Sequence, residues 1–259
     1  MTRPLYIVGR NSGDRGNFIS SLLLQLHRSS DHIIEYNNLG NAHDYVFRYY
    51  WEHTNFFAVK AEYGYTVQHN YVEFTSDSED PLILPYPAWR HDSVDYANRM
   101  KTYSNIKYIH ISFLPNEIEE LLANDFYKAT APDSVQHPEL GAEYLNIYQT
   151  IANQDPKCRT NIDQLIDLNE YEVQALIQHL AADHRQNTYS LVTEKCLASI
   201  PQSVPIYTIA FRDILNDKEK ILTTLEEVTG CKRKPAIEQS YDNYLKKQKT
   251  FYAKNLGWL

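Results

Sequence analysis

Apolar positions along this chain fall into short runs and helical stripes that alternate. Pro4–Val8 is an apolar run with β-branched residues and predicts a buried first strand. Gly9–Asn17 follows as a glycine-rich loop, and Leu22, Leu23 and Leu26 then give Phe18–Leu26 the apolar face of a helix. His32–Tyr36 predicts a second strand, closed by the turn-rich Asn37–Gly40. In Tyr45–Ala61, Phe47, Tyr50 and Trp51 recur at helical spacing and predict a buried helix face. His69–Phe74 alternates as a strand does, and Thr75–Pro81 reads as a polar, acidic loop. Pro85, Pro87, Trp89, Arg90 and His91 form a cluster ahead of a helix over 92–102.

The clearest internal strand is Ile106–Phe113, closed by Leu114 and Pro115. Asn116 then caps a helix through Lys128, with Glu117, Glu119 and Glu120 near its positive end. From about 130 to 203 the pattern is mostly helical. Glu139–Asn153 carries Leu140, Tyr144, Ile147 and Ile151 on one face, and Asn169 with Glu172 has capping-box spacing for a helix through His184. Val204–Phe211 is a strand. Asn216 and Glu219 again have capping-box spacing, Ile221, Leu222, Leu225 and Val228 stripe a helix that Gly230 ends, and a last helix runs from Ile237 to Lys254.

Strands separated by helices predict an α/β fold with a mostly parallel central sheet covered on both faces, a three-layer arrangement. The expectation is one domain over 1–259, with the helical block at about 130–203 as an insertion or lid.

Composition narrows this little. The 43% hydrophobic content can bury a substantial core, and no segment approaches the ~18 continuous apolar residues of a membrane span. With no apolar signal core behind Met1–Pro4, a cytoplasmic protein away from membranes is expected. The formal charge of −8 argues against nucleic acid as a partner. Cys158, Cys196 and Cys231 are far apart and in no C-x-x-C pattern, so neither disulfides nor a metal site is expected. The 21 tyrosines against nine phenylalanines suit half-wet aromatic surfaces, and hence an oligomer contact or a protein partner.

The candidate chemistry lies at the first strand-to-helix turn. Such a turn aims backbone N–H groups and the positive end of a helix dipole at one point, an anion site used most often for nucleotide phosphates. Its residues are Arg10, Asn11, Ser12, Gly13, Asp14, Arg15, Gly16 and Asn17, with Arg10 or Arg15 supplying positive charge. The loop lacks the lysine of G-x-x-x-x-G-K-[ST], and Asp14 stands where it repels a phosphate unless an arginine pairs with it. A turn that needs its glycines for geometry alone is the other reading.

Gly9–Gly13, placed after the first strand, resembles the phosphosulfate loop of P-loop sulfotransferases, in which Ser-Gly-Thr-Thr follows a basic residue. Phe211–Asp217 with Leu222, Leu225 and Val228–Gly230 looks like that family's strand, acidic-leucine turn, helix and glycine. Lys254–Trp258 is similar to its C-terminal K-G-x-x-G-D-W segment, and Ile109–Lys128 sits where it has an Arg-x-Pro-x-Asp stretch. Asp14 and Arg15 replace the two threonines, the arginine before Pro115 is absent, and so is the acidic residue before Trp258. The resemblance implies a P-loop NTPase/sulfotransferase-like fold. It also implies 3′-phosphoadenosine 5′-phosphosulfate as the donor cofactor and transfer of a sulfuryl group to the hydroxyl of a small-molecule or protein acceptor.

The base for such a reaction is expected at His110, on an internal strand, with His91 and His43 as loop alternatives and a core histidine as the structural reading. Lys232–Lys234 and Lys246, Lys247 and Lys249 are basic clusters suited to a second phosphate or to solvated helix faces. Two alternatives stand beside the transferase: a non-catalytic P-loop-like scaffold and a nucleotide-dependent kinase.

Overall fold

The computed structural model describes residues 4–10, 15–28, 31–36, 58–61, 64–67, 82–87, 105–114, 117–130, 138–187, 197–198 and 200–255. The chain divides into two compact units, one of Met1–Asn55, Glu73–Leu114 and Ser190–Leu259, the other of Phe56–Val72 and Pro115–Tyr189.

The first unit is built on a parallel sheet. Its strands are β1 (Leu5–Arg10), β4 (Leu82–Pro87), β5 (Ile106–Ser112) and β6 (Ile206–Ala210), in the order β4-β1-β5-β6. Helix α1 (Gly16–His27) is apolar on nearly every side, and Phe18, Ile19, Leu22, Leu23, Leu24 and Leu26 are all buried. A helix of that kind belongs inside a core. Two of its buried polar side chains are satisfied locally: Ser20 Oγ donates to Gly16 O and Ser21 Oγ to Phe18 O.

Register fixes which side chains share a face. Tyr6 pairs with Lys107, and both lie on the face covered by α1 and by α6 (Lys218–Thr229). The Tyr6 ring meets His27 edge-on at 6.0 Å, and Lys107 Nζ donates to Val228 O. Burial and the nearby Cys231 push the Tyr6 phenol up to about 12. The opposite face carries Ile7, Ile106 and Tyr108, also buried. Helix α7 (Pro235–Asn255) packs on α1, where the Phe18 and Tyr244 rings stack at 3.6 Å and Tyr241 meets Phe18 edge-on at 4.9 Å. A proline at the first position of α7 costs no helical hydrogen bond.

The second unit holds an antiparallel hairpin, β2 (Ala58–Ala61) and β3 (Gly64–Val67), and helices α2 (Ile118–Thr130), α3 (Pro138–Ala152) and α4 (Glu170–Asn187). Their mutual packing buries Leu122, Phe126, Tyr144, Tyr148, Leu176 and Ile177.

The predicted mixed α/β class, with a small parallel sheet and many helices, is what the described residues form. Several elements differ from expectation. The first strand runs on to Arg10 and α1 starts at Gly16, which shortens the expected loop from both ends. His32–Tyr36 is not a strand; it is irregular backbone held by side chains, with Gln25 Nε2 donating to His32 O (2.7 Å) and Ile34 N donating to Ser240 Oγ (2.8 Å). Pro85 and Pro87, expected in a cluster ahead of a helix, lie in a strand, Leu82–Pro87, beside β1. Among the described residues β4 ends the strand order, an edge position at which prolines are tolerated. Ala58–Ala61, the last part of the aromatic segment whose helical spacing lies at Phe47, Tyr50 and Trp51, is strand. The expectations for Asn37–Gly40, Phe47, Tyr50, Trp51, His69–Phe74, Thr75–Pro81, Trp89–His91 and 92–102 lie outside the described residues, as do His43, Asn116 and Cys196.

Candidate functional site

Connections leave the central pair of strands in opposite directions. From β1 the sheet continues on one side to β4, and from β5 on the other to β6. The carboxyl ends of β1 and β5 thus flank a switch point, the position where open α/β sheets leave a crevice for ligands.

One of the expected site residues, His110, lies there. Gly9 of β1 is the register partner of His110 of β5, and His110 is in turn paired with Thr208 of β6. His110 is half-buried on the face opposite the one that Tyr6 and Lys107 share, and burial alone holds its imidazole below the ordinary histidine range. It is therefore neutral near pH 7, with a ring nitrogen able to accept a proton.

Arg10 is the last residue of β1, aligned with Pro87 of β4, and so belongs to the strand rather than the loop. Asn11, Ser12, Gly13 and Asp14 lie outside the described residues. Arg15 is the N-cap of α1, in the left-handed conformation (φ 67°), and its side chain makes no capping hydrogen bond. Phe18 N and Ile19 N donate to its carbonyl at 2.9 and 3.2 Å, which closes the first helical turn. Gly16 and Asn17 form that turn, with their backbone N–H groups at the positive end of the helix.

The Arg15 side chain has an unexpected setting. It is 4% exposed, and the guanidinium carbon lies 3.9 Å over the centre of the Phe211 ring. Phe211 follows β6 directly, is fully buried, and donates its N–H to Ser112 O at 2.8 Å. Tyr241 of α7 is close enough for the Arg15 charge to oppose the upward push that burial gives its phenol. Tyr241 Oη donates to Ile214 O at 2.7 Å, in the short helix α5 (Asp213–Asn216). One buried cation thus joins the start of α1, the end of β6 and α7. Sequence reasoning missed this, because Arg15 and Phe211 are far apart in the chain and an arginine in a glycine-rich loop reads as a ligand contact.

The basic clusters divide. Arg233 is engaged by Glu219 (2.7 Å), Glu238 (3.4 Å) and Glu226 (3.9 Å), and Lys234 by Asp31 (3.1 Å), so these two cations serve ion pairs between helices and loops. Lys246, Lys247 and Lys249 lie on α7. In the second unit, Glu172 is fully buried and accepts from Arg159 N, Nε and Nη2 at 3.0, 2.8 and 2.5 Å. The Arg159 guanidinium holds its carboxyl down to about 2. Among the described residues no cluster of histidine, cysteine and carboxylate side chains could hold a metal ion, and no helix is long and apolar enough to cross a membrane.

No protein family matches the chain by sequence, and no curated protein matches it. Among solved structures it is similar to a sulfotransferase domain from the curacin biosynthetic pathway, at 12% identity over 93% of this chain and 78% of that one, with a TM-score of 0.39.

Proposed function

We propose that this protein is a sulfotransferase-like enzyme of three-layer P-loop architecture, which transfers a sulfuryl group from 3′-phosphoadenosine 5′-phosphosulfate to an acceptor hydroxyl. The observation that carries the reading is the pairing of Gly9 with His110 at the switch point of a parallel sheet, a few residues before α1 begins. The turn that follows β1 and a neutral base on the neighbouring strand then lie near the carboxyl ends of adjacent strands, where such sheets take their ligands.

The backbone suits a polyanionic donor: a helix start at Gly16, preceded by a left-handed residue, presents N–H groups and a positive dipole end. Arg15 does not offer its charge directly, because its guanidinium is covered by Phe211. The residues that would hold the donor are therefore Arg10 through Asp14 and the backbone of Gly16 and Asn17. The donor supplies an activated sulfuryl group, carried by a phosphate that leaves with its charge stabilised. His110 accepts the acceptor's hydroxyl proton on a ring nitrogen, which its lowered proton affinity leaves vacant near neutral pH. The amides and helix dipole stabilise the charge that spreads over the transferring group.

The burial of Arg15 favours a second reading, a P-loop-like scaffold that binds no nucleotide and keeps the arginine as part of its core. Thermal unfolding with adenosine 3′,5′-bisphosphate, and with ATP in parallel, separates the readings. A ligand at ~100 times its dissociation constant stabilises the native state by about 2.7 kcal/mol, a shift of about 2–4 °C in a chain this long. A shift with the bisphosphate alone is expected. A shift with ATP alone turns the assignment to a kinase, and no shift with either at millimolar concentration leaves the scaffold.

A further inference from the structure

We propose that β6 is a homodimer interface: two copies of this chain join edge to edge, their β6 strands antiparallel about a two-fold axis at Thr208. The inference goes beyond the transferase reading and does not depend on it. Within the chain only one side of β6 is used. Pro205 O accepts from Tyr108 N at 3.0 Å and Phe211 N donates to Ser112 O at 2.8 Å, so the odd-numbered residues of this segment turn their backbone groups toward β5. The alternation of a strand then turns the N–H and C=O groups of Ile206, Thr208 and Ala210 the other way. Among the described residues β6 ends the strand order, and no hydrogen bond reaches those groups. Pro205, Ile206 and Thr208 are exposed, Ile206 by 44%.

An edge that must stay single is usually guarded by a lysine, an inward-pointing charge or a bulge. This one has none of them. The run from Ile200 to Phe211 holds no charged residue, although 22% of the chain is charged, and the register with β5 is unbroken from Ile206 to Ala210. What the edge fits is its own copy. A two-fold axis at Thr208 sets every outward N–H opposite an outward C=O: Ile206 exchanges hydrogen bonds with Ala210, and Thr208 with its counterpart. Side-chain sizes match in the same register. Exposed Ile206 meets the small Ala210, Thr208 meets Thr208, and on the other face half-buried Tyr207 meets Ile209, an aromatic against a β-branched residue. Since β6 carries no charge, the contact brings no like charges of the two copies, each at −8, face to face across the axis. Association stops at two, because the other edge strand among the described residues, β4, carries Pro85 and Pro87, which interrupt such a ladder. Thr208 is the register partner of His110, so the dimer sets both His110 residues on one continuous sheet face.

The test is sedimentation equilibrium of the full chain and of Thr208→Lys and Thr208→Glu, each alone and mixed. The unaltered protein is expected at twice 30.3 kDa. Either variant alone sets like charges on Cα atoms about 5.5 Å apart across the axis and is expected to raise the dimer dissociation constant about tenfold. An equal mixture pairs opposite charges and is expected to return to within about threefold of the unaltered protein. Should a charge variant fail to fold, Thr208→Pro takes its place. It deletes an outward N–H and no hydrogen bond to β5, and is expected to give a folded monomer. A monomer at about 0.1 mM unaltered protein would overturn the proposal. Slow hydrogen exchange at Ile206, Thr208 and Ala210 in that monomer would mean that another segment of the chain covers the edge, and fast exchange that it is open to a different partner. A dimer indifferent to both charge variants uses another surface, and one that the mixture does not restore is not paired at Thr208; each overturns the proposal as well.

Discussion

His110 and Glu172 are both displaced from their ordinary proton affinity, by opposite physics. Burial lowers the His110 imidazole because a charged ring loses water there. If His110 is the base, the acid limb of the pH–rate profile is expected below pH ~6.5, the ordinary histidine value. His110→Ala should lower kcat by about 10²–10³ while the bisphosphate-induced rise in Tm stays; loss of both would make the residue a structural one. Glu172 is lowered instead by the Arg159 guanidinium and by the Asn169 and Arg159 N–H groups that donate to it. A carboxylate depressed in the folded state adds stability that is complete above its unfolded value and is lost as pH falls through the folded one. For Glu172 that window runs from about 4.5 down to about 2. Glu172→Gln should therefore destabilise the protein by about 2 kcal/mol at pH 7 and by less at pH 3, measured by urea unfolding at both.

At the scale of elements, what decided legibility was whether a signal is local. Asn169 and Glu172 form the capping box that their spacing predicts, with Glu172 N donating to Asn169 Oδ1 at 3.0 Å and Asn169 N to Glu172 Oε2 at 2.9 Å. The same spacing misleads at Asn216 and Glu219. The N-cap of α6 is Asp217, whose Oδ1 accepts from Lys220 N, and Glu219 is drawn to Arg233 instead. A short helix already occupies Asn216, and the sequence pattern does not contain that fact. His32–Tyr36 has a strand's composition, yet its partners are Gln25 and Ser240, supplied by two helices. Ser240 Oγ accepts from Ile34 N and Gln25 Nε2 and donates to Ala236 O, so its hydroxyl is fully used. Ser240→Ala should cost about 2 kcal/mol in chemical unfolding, since it strips a buried N–H of its acceptor; a loss under 0.5 kcal/mol, about the size of a neutral surface change, would contradict this. Gly230 ends α6 in the left-handed region (φ 72°), as its place after the apolar stripe predicts. Nothing lies within 4 Å of a Cβ there, so Gly230→Ala tests backbone strain alone and should cost about 1 kcal/mol.

At the scale of the whole molecule, the chain combines two compact units that draw stability from different sources. The sheet unit buries an almost wholly apolar helix, α1, whose hydrophobic stabilisation does not depend on pH. In the other unit α3 and α4 are tied through a polar knot, in which Tyr148 Oη of α3 donates to Arg159 O, and Arg159 reaches Glu172 of α4 and Asp167 O. Of these groups only the centre, Glu172, changes charge as acid is added, and its carboxylate is buried where an unpaired charge is costly. Loss of the knot should thus be felt locally before it is felt globally. Native-state hydrogen exchange of Arg159→Ala is expected to show faster exchange across 138–187 with β1, β5 and β6 unchanged. Equal acceleration in both regions would mean that the two units open as one cooperative body, and that the ion pair stabilises the protein as a whole.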